Sequence, residues 1–130
     1  MHFRGRFCQG KGEAAGFTEL AWVKEACRRE FGFEPYPGTV NLRVEPEVLA
    51  ELRRLAASAG ATLASPDPRF CDALGLKARL CRGDITLEAA IVLPLVEDYY
   101  EDIVELVAPV KVTEILQLEE GAELAVATVT

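Results

Sequence analysis

The run Pro35-Tyr36-Pro37-Gly38-Thr39-Val40-Asn41-Leu42 sets a hydroxyl and a carboxamide one residue apart, directly after a glycine turn. In an extended chain side chains alternate with period two, so Thr39 and Asn41 point to the same face. Two neutral oxygens then converge on one spot. A hydroxyl oxygen and an amide carbonyl suit a hard cation such as Mg2+, which keeps several waters and takes further ligands from substrate phosphates. Such a pair implies nucleotide chemistry rather than a structural metal. The same residue types also open ordinary hairpins, so the pair gains weight only from what else the chain brings to it.

Two other stretches carry groups of the required kind. Gly10, Lys11, Gly12, Glu13, Ala14, Ala15 and Gly16 form a glycine-rich loop whose backbone is free to approach a ligand and to turn amides toward anionic oxygens. It matches neither a Walker loop nor a dinucleotide fingerprint, and a plain strand-to-helix turn accounts for it equally well. Further on, Glu97, Asp98, Glu101, Asp102 and Glu105 crowd around Tyr99 and Tyr100, a polar lip with aromatic faces. Most such clusters are solvated surface. An acid held near an alcohol and a metal-bound phosphate acts as a base or positions the nucleophile. Glu105 is the best placed, because it alternates with Val104 and Leu106 just ahead of Ala108 and Pro109.

These groups need a scaffold, and the pattern of the chain is mainly β. Residues 3–8 read as a strand leading into the glycine loop, and Leu20, Val23, Cys27 and Phe31 recur at helical spacing from Thr18 until Gly32 ends the helix. A strand around Thr39 to Val44 precedes a second helix that starts near Pro46 and closes at Gly60. Ala61 to Ala64 reads as a short extended piece, and Ser65 to Phe70, with two prolines, as a loop. Two β-like runs flank a hairpin turn at Arg82 to Asp84, which explains Arg-Gly-Asp better than cell adhesion does. Ile103 to Val107 fits helix or strand, Thr113 to Leu118 is helical or turn-like, and the tail from Glu123 alternates as a strand. The count is roughly six or seven strands with two inserted helices and no βαβ alternation, which favours a small closed β-barrel with helical insertions.

Composition bounds the rest. At 130 residues and half apolar, the chain is expected to be one domain with a real core. A net charge of −7 repels polyanions, so no nucleic-acid partner is expected. No apolar run approaches the roughly 18–20 residues needed to span a bilayer, and the N-terminal stretch lacks the apolar centre of a secretion signal. The expectation is a cytoplasmic protein without a membrane partner, monomeric or weakly oligomeric. Cys8, Cys27, Cys71 and Cys81 form no C-x-x-C pair and the lone His2 lies at the start, which argues against zinc. Each cysteine is expected to act as a small buried hydrophobe.

Taken in order, several blocks resemble the archaeal-type, CTP-dependent riboflavin kinase family. They are G-K-G-E at Gly10 to Glu13, F-G-F-E-P-Y-P-G-T-V-N-L at Phe31 to Leu42, A-I-V-L-P at Ala90 to Pro94, E-L-V-A-P-V-K-V at Glu105 to Val112, and L-x-L-E-E-G-A at Leu116 to Ala122. The resemblance spans nearly the whole chain, and the second block is its most specific part. It implies a six-stranded Greek-key barrel and transfer of the terminal phosphate of CTP to the primary alcohol of riboflavin, giving FMN and CDP. Thr39 and Asn41 match the residues that hold magnesium. Gly10 to Gly16, together with Val110, Lys111, Val112 and Thr113, match the nucleotide site, and Glu105 and Glu97 fall at flavin contacts. The chain departs from the family pattern at Ala14, where another glycine is common, at Glu97, where a serine or threonine is typical, and at Thr113, where a basic residue is common. The alternatives are a barrel that binds flavin or nucleotide without turnover, and a kinase of a related small alcohol.

Overall fold

The computed structural model describes residues 1–10, 14–97 and 99–129. Their elements follow in the order β1 (His2–Cys8), α1 (Ala14–Thr18), α2 (Ala21–Phe31), β2 (Val40–Arg43), α3 (Pro46–Ala59), β3 (Ala61–Leu63), β4 (Ala73–Arg82), β5 (Ile85–Pro94), β6 (Ile103–Val107), α4 (Val112–Ile115) and β7 (Glu123–Thr128). The strands run in the order β3-β4-β5-β6-β2-β1-β7, and β7 pairs back onto β4. Six strands therefore close a ring, with β3 outside it. Every pairing is antiparallel. Strands β4, β5 and β6 follow one another as neighbours and β7 returns beside β4, which is a Greek key. Along one edge β4 is shared: Ala73 to Gly75 pair with β3, and Ala78 to Cys81 pair with β7.

Alternation along the ring separates an inner from an outer face. Val40 and Leu42 of β2, Leu76, Ala78 and Leu80 of β4, Ile91 and Leu93 of β5, Val104 and Leu106 of β6, and Leu124 and Val126 of β7 share one apolar cluster inside the barrel. Helix α3 adds Leu49, Leu52 and Ala56 to it, and α4 adds Val112. A second cluster lies on the outer face, where Val23, Ala26, Cys27 and Phe31 of α2 cover Ala90, Val92 and Val107. β6 is thus buried on both sides over part of its length. Its apolar run loses the clean period of a half-exposed strand, which is why Ile103–Val107 reads equally well as a helix.

The structure corrects several expectations. The helix expected from Thr18 begins at Ala21 instead, because Thr18 is fully buried and its Oγ1 accepts the Gly38 N–H at 2.7 Å, while Leu20 is extended at φ −64°, ψ 136°. The expected loop through Gly16 turns helical at Ala14, so among the described residues α1 and the short α4, the latter where a helical or turn-like piece was expected, accompany the two inserted helices. Burial of all four cysteines fails. All are free thiols, but only Cys27 is buried, and that burial pushes its thiol up to about 11; Cys71 is exposed. The Arg-Gly-Asp turn is a two-residue hairpin with Gly83 at φ 59°, and Arg82 Nη1 donates to the carbonyls of Leu116 and Gln117 at 2.7 and 2.6 Å. An arginine spent inside its own fold is a poor adhesion ligand. No helix among the described residues is long and apolar enough to cross a membrane.

Helix α2 is seated through one close approach. A Cβ added at Gly75 on β4 would run into the ring of Phe31, which is 2% exposed. Replacing Gly75 with alanine is expected to overpack this contact and destabilise the fold by about 1–3 kcal/mol, lowering the thermal midpoint by several degrees. A midpoint unchanged to within a degree in calorimetry would show that α2 is free to shift.

Candidate functional site

The outer face of β2 carries the alternate residues to the core, and here they are polar. Asn41 is registered opposite Cys8 on β1 and opposite Glu105 on β6, so three neighbouring strands present it between a thiol and a carboxylate. Thr39 lies two residues upstream on the same face, at the point where the chain leaves a tight turn. Gly38 makes that turn at φ 98°, a conformation that favours glycine. The turn is fixed at both ends: the Gly38 N–H donates to Thr18 Oγ1 at 2.7 Å, and the Tyr36 N–H donates to the Ala108 carbonyl at 2.7 Å.

Three oxygens meet there. Thr39 Oγ1 lies 3.1 Å from Glu105 Oε1 and 3.4 Å from Asn41 Oδ1. The hydroxyl has a single proton, which goes to the carboxylate at the shorter distance. Its lone pairs then face the carbonyl oxygen of Asn41, and a cation relieves such an opposition. Two neighbouring ligands of an octahedral Mg2+ at about 2.0–2.1 Å stand about 2.9 Å apart, so the observed gap is within half an ångström of what the ion needs. The donor set therefore fits magnesium. Among the described residues no group of three or more His, Cys, Asp or Glu side chains forms a metal cluster.

Two further residues shape the site. A Cβ at Gly10 would collide with Asn41 Nδ2, so this glycine lets the backbone approach the carboxamide closely as it now stands. The other is Tyr99, half-buried in the β5–β6 connection, whose hydroxyl donates to Glu105 Oε2. Burial, and then the Glu105 carboxylate beside it, hold the phenol well above its ordinary pKa, so it stays protonated and remains a donor. Tyr99 was legible only as part of an aromatic lip. No periodicity announces a loop side chain that folds back onto a strand six residues later.

The other candidate residues divide. Val110, Lys111, Val112 and Thr113 line, with Thr39, a small cleft of about 110 Å³. This is below the roughly 300–1,000 Å³ of sites that enclose a whole small ligand, and suits one end of a molecule. A wide, shallow groove of about 660 Å³ bordered by Glu19, Lys24 and Glu34 adjoins it, and the two share Tyr36 and Pro37. Gly16 sits in α1 with open space around it, and Lys11, Gly12 and Glu13 lie outside the described residues. Ala14 and Ala15 open α1. Glu97 is exposed and makes no hydrogen bond or ion pair among the described residues; it is Tyr99 that reaches Glu105.

Fold and site together define a six-stranded Greek-key barrel with an oxygen-rich patch on its outer wall and a small cleft beside Thr39. Residues 7–128 match the family model CTP-dep_RFKase, described as a domain of unknown function, DUF120, and the chain belongs to that family. It is 35% identical over 124 residues to a riboflavin kinase of Pyrobaculum calidifontis, with 90% of this chain and 55% of that protein covered. It is 32% identical over 124 residues to a riboflavin kinase of Archaeoglobus fulgidus, covering 93% of this chain and 52% of the relative. The chain thus spans about half the length of these relatives. A riboflavin kinase of Methanothermobacter thermautotrophicus is 34% identical over 113 residues, 86% of either chain.

Proposed function

We propose that this protein is a magnesium-dependent kinase that transfers the terminal phosphate of CTP to the primary alcohol of riboflavin, giving FMN and CDP. The observation that carries the reading is the meeting of Thr39, Asn41 and Glu105 on one outer face, beside a cleft lined by Val110 to Thr113. It is supported by family membership and by relatives named riboflavin kinase. Thr39 Oγ1 and Asn41 Oδ1 hold the cation. Magnesium supplies charge neutralisation on the phosphate oxygens during transfer. Gly10, with the loop that follows it, and the 110–113 segment receive the nucleotide, and the Lys111 ammonium adds positive charge at the cleft.

Glu105 faces the acceptor. Two of its lone-pair positions accept from Thr39 and Tyr99, and the remaining ones are available to the ribityl hydroxyl, which it orients and whose proton it takes as the new P–O bond forms and the bond to CDP breaks. Little covalent chemistry is asked of the protein in phosphoryl transfer, so positioning supplies most of the acceleration. The test is a product assay with riboflavin, Mg2+ and either CTP or ATP. FMN and CDP should form with CTP, form far more slowly with ATP, and vanish with EDTA. Tight FMN binding with no product from either nucleotide would instead define a flavin-binding barrel.

A further inference from the structure

The connection between β5 and β6 is tied down at both ends. Leu95 N–H donates to the Asp72 carbonyl at 2.9 Å, Val44 N–H donates to the Asp102 carbonyl at 2.8 Å, and Arg43 pairs with the Asp102 carboxylate at 2.6 Å. Between these anchors Leu95, Val96, Glu97 and Tyr100 are exposed, and Tyr100 is 61% exposed. Tyr99, by contrast, is half-buried. Its ring stands edge-on to Tyr100 at 5.6 Å, and its hydroxyl donates to Glu105 Oε2. The opposite carboxylate oxygen, Oε1, takes the hydroxyl of Thr39.

A carboxylate on a strand turns about its last side-chain bond unless something holds it. With a donor on each oxygen its plane is fixed, and so is the direction from which Thr39 must give its proton. That direction decides where the lone pairs of Thr39 Oγ1 point. We propose that Tyr99 is a positioning residue: by holding Glu105 Oε2 it keeps Oε1 on the Thr39 hydroxyl, and so keeps the Thr39 oxygen turned toward Asn41 Oδ1, where the two would hold the cation. Tyr99 and Glu105 stand behind Thr39 as an outer shell of the kind that orients metal ligands elsewhere. Tyr99 reaches the Thr39–Asn41 pair through Glu105.

The inference rests on the kinase reading for its effect on turnover, but its effect on the cation is measurable without turnover. Tyr99→Phe keeps the ring and its packing and removes only the donor. Mn2+ affinity in the presence of CDP, read by electron paramagnetic resonance with no riboflavin present, should fall about tenfold, and kcat for FMN formation by about 10–100-fold, the range for lost outer-shell partners. The KM for riboflavin should stay within about twofold and the thermal midpoint should hold. In a Glu105→Gln background the same change should add less than about twofold to either loss.

If Tyr99→Phe leaves both Mn2+ affinity and kcat within about twofold of the wild type, the inference is overturned. So it is if the loss is undiminished in the Glu105→Gln background, because Tyr99 would then act through another group. Absence of Mn2+ binding in the wild type also overturns it. A wild type that binds Mn2+ in a Tyr99-dependent way yet forms no FMN would sink the kinase reading and leave the positioning role standing.

Discussion

Asn41→Ala is expected to lower kcat for FMN formation by about a thousandfold, a loss of about 4 kcal/mol in transition-state stabilisation. The residue is half-buried on the outer face of β2, away from both apolar clusters, so truncating it opens no cavity and the thermal midpoint should change little. What disappears is the carbonyl oxygen 3.4 Å from Thr39 Oγ1, and with it one side of the proposed cation position. A companion change approaches the same atom from the other side. Gly10→Ala puts a methyl group where Asn41 Nδ2 now lies, so the carboxamide must rotate or the 9–10 backbone must retreat. Its kcat should fall toward that of Asn41→Ala, and the double variant should be no worse than Asn41→Ala alone. Full activity of Asn41→Ala at limiting Mg2+ would remove the cation from this site.

The pairing of Thr39 with Asn41 is visible in the sequence because a period of two is a property of any extended segment, whatever surrounds it. The inclusion of Glu105 was also within reach, since Val104 and Leu106 on either side are core residues and so turn the carboxylate outward. That this outward face meets the face of Asn41 is a matter of strand order. β2 and β6 are separated by more than fifty residues, and nothing local specifies that they are neighbours. Closure into a barrel was expected from the strand count, but that β4 and β7 are the strands that close it was illegible for the same reason. The general count of strands followed from turn chemistry, with Gly83 and Gly121 at positive φ marking two of the corners. The roles that side chains take on through loops were hidden altogether: Thr18 capturing the Gly38 N–H, and Tyr99 returning to Glu105, depend on close approach of segments that carry no pattern.

Glu105→Gln separates what this side chain does by its charge from what it does by its shape. The substitution preserves volume and keeps one carbonyl oxygen, but the carboxylate now accepts one hydroxyl on each oxygen, from Thr39 and from Tyr99. An amide offers an acceptor to one and N–H donors to the other. One of the two hydroxyls must therefore rotate and accept, and the negative charge that would draw the proton of the ribityl alcohol is gone. Loss of a positioned base lowers turnover by about 10²–10⁴-fold, and kcat for Glu105→Gln should fall by at least a hundredfold. Riboflavin affinity, followed by quenching of flavin fluorescence, should fall by less than about tenfold, since a neutral amide still reaches the same hydroxyl. Glu105→Asp keeps the charge but draws it back by one methylene, out of reach of both partners at once, and should recover little. A kcat for Glu105→Gln within about threefold of the wild type would mean that the alcohol proton leaves directly to solvent, and that Thr39, Asn41 and the nucleotide supply the catalysis without a carboxylate.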